Sequence, residues 1–365
     1  MRCVKCTRNL LYKERSQKRC PHCEQVLVFE PKTGDQITDR AFAEALDKLS
    51  DSGHLAWQPA QLHHALAKRH ERKYLRGQTG TGLLIMAFIL GIVFFIFKPW
   101  LLQPLWLQSY LAGSALILSV IVFALRSRPV MALEASQVKL WLQRWQKVHG
   151  PPAGLIEQAR LPRPRQEQTD PSLLDYTVER AVICDKPETV DFLLANNLHI
   201  EQRCAILTLG GYPTERFEEI RQMLRRNPQL AVFVLHDASY NGCRLHQELI
   251  QNKDWFPGSR RVWDIGIFPR HAQHFKGLWT PAQSPPSTAL LGYKPAELAW
   301  LQKYRLSLMA LPPPLLLKQL RKVFNHYSQQ LSSAYAAGAG TEYTIEIDDL
   351  LSVGEGSFDA DSDFG

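Results

Sequence analysis

Residues 230–242 read LAVFVLHDASYNG. The run from Leu230 to Leu235 is apolar and includes two valines and a phenylalanine. Polarity then breaks at His236-Asp237 and continues through Ser239, Asn241 and Gly242. A short β-branched and aromatic run closing on a polar loop predicts a buried strand ending at the carboxyl edge of a sheet. That edge is where open α/β sheets place ligands. Asp237, standing alone there, is the first candidate functional group.

The flanking sequence repeats the pattern. TVERAVICD (177–185) predicts a strand ending on Asp185, and KPETVDFLLANNLH (186–199) a helix with Pro187 in its first turn. RCAILTLGG (203–211) predicts a second strand running into a glycine turn, TERFEEIRQMLRRN (214–227) a second helix, and RRVWDIGIF (260–268) a fourth strand. Strands alternating with helices predict a compact α/β domain with a largely parallel sheet over 172–270.

The chain opens with two C-x-x-C knuckles, Cys3/Cys6 and Cys20/Cys23. Four thiolates on two short turns suit the tetrahedral preference of Zn²⁺, with no position left open for chemistry. A structural zinc ribbon is expected over 1–31, with LLYK and QVLVFEP as its strands; the segment resembles that family. So short a piece cannot build an adequate core alone, so the metal supplies its folding free energy. Lys13, Arg15, Lys18 and Arg19 between the knuckles either touch phosphate or form a solvated loop. Of the seven cysteines, Cys184 and Cys204 lie in apolar runs as buried thiols, which is reduced-compartment usage.

Residues 77–97 carry no charge, and a second uncharged run extends from Pro99 to Leu125. Each is long enough for about 20 helical residues, so two transmembrane helices are expected over 77–125. Lys and Arg flank the pair on both outer sides, and the connecting loop holds only Lys98. The positive-inside bias then places both termini in the cytoplasm of a two-pass protein, in a bacterial inner membrane. A helical juxtamembrane segment is expected over 36–76, with His63, His64 and His70 on its surface. A helix and Pro-rich linker are expected over 126–171, a helical extension over 271–340 and an acidic tail over 341–365. The net charge is +8, yet Glu342–Gly365 holds eight acidic residues and no Lys or Arg, leaving +16 on the rest. A basic body suits an anionic partner, nucleic acid or lipid, or else reflects membrane orientation.

VICDKPETVDFLL, CAILTLGGYP and VLHDASYNG together resemble the Toprim domain, and most closely its version in the topoisomerase VI A subunit, over about residues 176–265. The resemblance implies a strand-end acid for general acid–base work and a D-x-D pair holding Mg²⁺ or Mn²⁺. Asp185 stands at the glutamate position and Asp237 at the first aspartate. Ser239 replaces the second aspartate, and neither Glu188 nor Glu248 is at a family position. The resemblance thus implies a degenerate metal site, with Asp237 as its surviving member.

The expected whole is multidomain: a zinc ribbon, a two-helix transmembrane hairpin and a Toprim-like α/β cytoplasmic domain. As function, it implies a membrane-anchored adaptor or sensor component binding protein partners or nucleic acid. One alternative is a Mg²⁺- or Mn²⁺-dependent nuclease or phosphotransfer enzyme using Asp185 and Asp237. Another is a purely scaffolding membrane subunit.

Overall fold

The computed structural model describes residues 1–15, 17–70, 133–156, 178–227, 230–252, 255, 262–275, 277–283, 290 and 292–337. The centre of the fold is a four-stranded, all-parallel sheet of order β2-β1-β3-β4: β1 Arg180–Cys184, β2 Cys204–Thr208, β3 Ala231–Leu235 and β4 Val262–Asp264. β1 pairs with β2 and β3 in full register, Cys184 opposite both Thr208 and Leu235.

Both faces of the sheet are covered, so β1, β2 and β3 read as largely apolar runs rather than alternating ones. On one face Val182, Ile206 and Phe233 pack against helix α4 (Pro187–Ala195) and, from further along the chain, Leu301, Leu306, Leu317 and Phe324. On the other, Ile183, Leu207, Val232 and Val234 pack against α5 (Phe217–Arg226) and α6 (Tyr240–Gln251). Leu278, Trp279 and the buried apolar residues between Trp300 and Tyr327 therefore belong to the core of the sheet. The phenyl ring of Phe324, on the long helix α8 (Pro313–Ala337), meets Phe233 edge-on at 5.1 Å. α7 (Pro295–Lys303) precedes it.

A second, smaller core is helical. α1 (Asp39–Ser50), α2 (59–70) and α3 (Ala135–His149) bury Phe42, Leu49, Leu62, Trp141 and Trp145 around Phe29 and Trp57. Asp39 ties the ribbon to this core: its buried carboxylate accepts from the backbone N–H groups of Val28 (2.9 Å) and Phe29 (2.8 Å). Further hydrogen bonds join the helices to the α/β domain. Asn196 donates to Ala56 O and accepts from Ala56 N, and Gln61 Nε2 donates to Leu311 O.

Three expectations are corrected here. No helix among the described residues is long and apolar enough to cross a membrane. Even α8, at 25 residues, carries Lys318, Arg321 and Lys322. The transmembrane hairpin expected over 77–125 lies outside the described residues, as do the Pro-rich part of the linker and the acidic tail. The fold described is a parallel sheet with helices and an N-terminal cysteine cluster, so the two-pass inner-membrane class and its cytoplasmic topology are withdrawn. Second, the described residues of the ribbon make only isolated bridges, Arg2 with Asn9 and Arg19 with Val26, and a 3-10 turn starts at Lys13, the last residue of LLYK. Third, His64 is buried, its Nδ1 bonded to Ala60 O at 2.7 Å, and burial lowers its pKa to about 4. His63 reaches Leu133 O at 2.7 Å. α2 buries Gln61 and His64 together with Leu62, Leu66 and Ala67.

Candidate functional site

Two sites take shape from the sequence candidates. At the N-terminus the knuckles are built alike. Cys3 N donates to Arg8 O and Thr7 N to Cys3 O; Cys20 N donates to Gln25 O and Glu24 N to Cys20 O. Thr7 and Glu24 both take positive φ, 58° and 57°, so each turn curls its two sulfurs toward the other knuckle. The four thiols converge within 4.8 Å of one another, with Cys3–Cys23 and Cys6–Cys20 sulfurs each 3.6 Å apart. Four sulfurs about 2.3 Å from a central ion stand roughly 3.8 Å apart, so this donor set can hold one metal ion in tetrahedral geometry.

The second site lies at the carboxyl ends of β1 and β3. The chain leaves β1 for β2 on one side and returns to β3 on the other, so the gap between β1 and β3 is the switch point of the sheet. Asp185 and Asp237 meet there: Asp237 N donates to Asp185 Oδ2 at 3.0 Å. The two acids singled out from the sequence thus stand side by side.

Their surroundings differ from an open metal site. The ammonium of Lys186 sits on Asp237 Oδ2. Asp237 Oδ1 accepts from the backbone N–H of Leu308 at 2.6 Å and from Ser307 Oγ at 3.4 Å. Leu306 pairs with Ala238 through two 3.0 Å backbone bonds, laying the 306–308 segment across the crevice. Ser239 acts locally as the N-cap of α6, its Oγ accepting from Gly242 N at 3.1 Å. Glu248 is held by Arg244 at 2.6 Å along α6, and Glu188 is exposed at the start of α4. Neither joins the pair.

Charge around the pair is balanced from within. Burial works against the Lys186 ammonium, but Asp237 outweighs it and raises its pKa. His236 is fully buried; its Nδ1 donates to Asp237 O at 2.7 Å and its Nε2 bonds Asp264 Oδ1 at 2.9 Å. Burial opposes the imidazolium, yet the Asp264 charge and hydrogen bond prevail and lift its pKa to about 9. The Asp264 carboxyl, for its part, is depressed: burial pushes it up, and His236 more than offsets that. Among the described residues no cation pairs directly with Asp185. Burial, then the nearby Asp237, pushes it up to about 7, and its Oδ1 is buried without a partner.

Asp264, Lys186 and the Leu308 N–H are the members that sequence reasoning missed. Asp264 closes β4 as Asp185 closes β1, and that signal was present in VWDIG. Leu308 contributes only a backbone group from 71 residues away, which leaves no mark in the sequence.

Gly266 is set by this site. A Cβ there would fall 2.4 Å from the His236 ring, which lies flat against the backbone. Gly266→Ala is expected to cost roughly 1–3 kcal/mol, because the buried ring has no free volume to move into. It should appear as a lower denaturant midpoint with an unchanged m value. A midpoint equal to wild type would show that the ring has room.

No protein-family model matches the chain, and neither a curated protein nor a solved structure matches it significantly. The Toprim resemblance has no support from these comparisons. A Mg²⁺ or Mn²⁺ role also lacks support, since the cation beside Asp237 is Lys186.

Proposed function

We propose that this chain is a non-catalytic binding module, an adaptor built from a structural zinc ribbon and a Toprim-like α/β domain. The observation that carries this reading is the state of Asp237. One oxygen carries the Lys186 ammonium and the other accepts the Leu308 N–H, so the position of a divalent cation is taken by the chain's own lysine. A hard cation such as Mg²⁺ wants several oxygens, and among the described residues the buried side chains of this crevice keep one unpartnered oxygen, Asp185 Oδ1. The buried pairs then fix the loops at the sheet edge instead of handling phosphate in flight.

The N-terminal cluster supports structural zinc, because four cysteines fill a tetrahedral shell and leave no place for substrate. The strand-end acids on adjacent strands support the Toprim-like reading of the α/β domain. Partners, protein or nucleic acid, would then dock on surfaces away from the sealed crevice.

The test is incubation of the full chain with supercoiled plasmid and with single-stranded DNA in Mg²⁺ or Mn²⁺, beside Asp237→Ala. Both forms are expected to leave the DNA uncut. Cleavage by wild type that disappears in Asp237→Ala would make this chain an enzyme and overturn the reading.

A further inference from the structure

Between the ribbon and α3 runs a cleft of about 280 Å³, walled by Arg15, Lys18, Arg144 and Lys147 and floored by Val28 and Phe29. Its two acids are already committed: Glu30 to the buried Arg15 at 3.0 Å, and Asp35 to Arg144 at 2.6 Å. Arg144 also lies over the Phe29 ring, its guanidinium carbon 5.2 Å from the centroid, which fixes that wall. Lys18 on the ribbon side and Lys147 on the helix side are exposed and make no ion pair among the described residues.

The elements on either side share the same sign. Residues 1–32 carry eight Lys and Arg against three Glu, and α3 has three basic residues and no acid. Lys13 and Arg19, both exposed, continue the charge along the loop between the knuckles. A tight point-charge ligand would need cations converging on one spot. Here they stand on two facing walls and extend beyond the cleft, an arrangement that suits a polymer carrying a charge on every unit. Grooves of this kind track the backbone of a single strand.

We infer that this cleft binds the phosphodiester backbone of a single-stranded nucleic acid, with Lys18 and Lys147 contacting phosphates from opposite sides. The inference deepens the binding-module reading and rests on it. The Arg15–Glu30 pair fixes the ribbon wall and the Arg144–Asp35 pair ties α3 beside it, so the two exposed lysines supply the contacts. The arginines and acids that line the cleft are engaged with one another, so recognition is expected to be indifferent to sequence.

The experiment is fluorescence anisotropy of labelled oligo-dT with the full chain across a series of KCl concentrations. Wild type is expected to bind at low salt and weaken steeply as salt rises. Lys18→Gln/Lys147→Gln should lower the slope of log K against log salt by about 1.4, at about 0.7 per single-strand phosphate contact. Lys303→Gln/Lys318→Gln removes the same charge from exposed positions elsewhere and should leave the slope unchanged. No binding at low salt, a wild-type slope in the cleft variant, or an equal loss in the control would overturn the inference. So would capture of a peptide of residues 342–365 with no binding of oligo-dT, which would make the cleft an acidic-peptide site. The same samples on a denaturing gel report cleavage separately: cut DNA sinks the non-catalytic reading, and a flat slope sinks only the cleft.

Discussion

Cys20→Ser is expected to release the metal and unfold the N-terminal knuckles while the parallel sheet stays folded. The apolar cluster around the knuckles is Cys3, Leu10, Cys20 and Leu27, so beyond the sulfurs it amounts to two leucines. That is far too little apolar surface to offset the conformational entropy of about 30 residues. Zinc bound by four thiolates supplies on the order of 10–16 kcal/mol, and that binding energy is the folding energy of such a segment. A serine hydroxyl in place of one thiolate breaks the shell. Metal analysis of wild type should give about one zinc per chain, and the variant should fall close to none. Limited proteolysis of the variant should then show cuts within residues 1–27 that wild type lacks, and none at Val28 and Phe29, which are held by Asp39 and the tryptophans of the helical core. A variant that kept both its zinc and its protease resistance would show that the knuckles stand without the ion.

Asp264→Asn is expected to cost about 3 kcal/mol or more near pH 6, since it leaves the fully buried His236 without its counter-charge. The pH dependence gives a sharper signature. The folded pKa of His236, about 9, lies above the unfolded value near 6.5, so its stabilisation is complete below about pH 6.5. It is lost as pH rises through 9, and over that window the wild type should lose about 3 kcal/mol from this group. Asp264→Asn should flatten that segment of the stability curve. Urea midpoints at pH 6, 7.5 and 9 (about 1.5 apart) would measure it. An unchanged slope in the variant would mean that Asp264 does not hold the proton on His236.

Much of the α/β domain was legible because buried parallel strands announce themselves as unbroken apolar runs. AVFVL and RAVIC were placed from that signal, and their terminal acids fell together at the switch point. What the sequence concealed was the neutralisation of those acids. Lys186 stood in plain view beside Asp185, but whether its ammonium reaches Asp237 depends on how β1 and β3 align. The Leu308 N–H carries no side-chain signature at all. His64 was misread for a related reason: a histidine on an amphipathic helix looks like a surface residue until another element covers that face. The uncharged runs over 77–125 show how far composition alone can carry a reading past the residues that the structure describes.

The packing of α8 bears on how the chain reaches its fold during synthesis. Phe233 in the central strand has Phe324 and Tyr327 as its edge-on neighbours, and the Asp237 loop is pinned by Leu308. A nascent chain that has emerged only as far as β4 lacks one covering of the sheet. Until residues 306–327 emerge, α4 covers part of that face and the rest of its apolar surface is bare. The domain therefore completes its core only after residues 306–327 have emerged, well behind the strands that they cover.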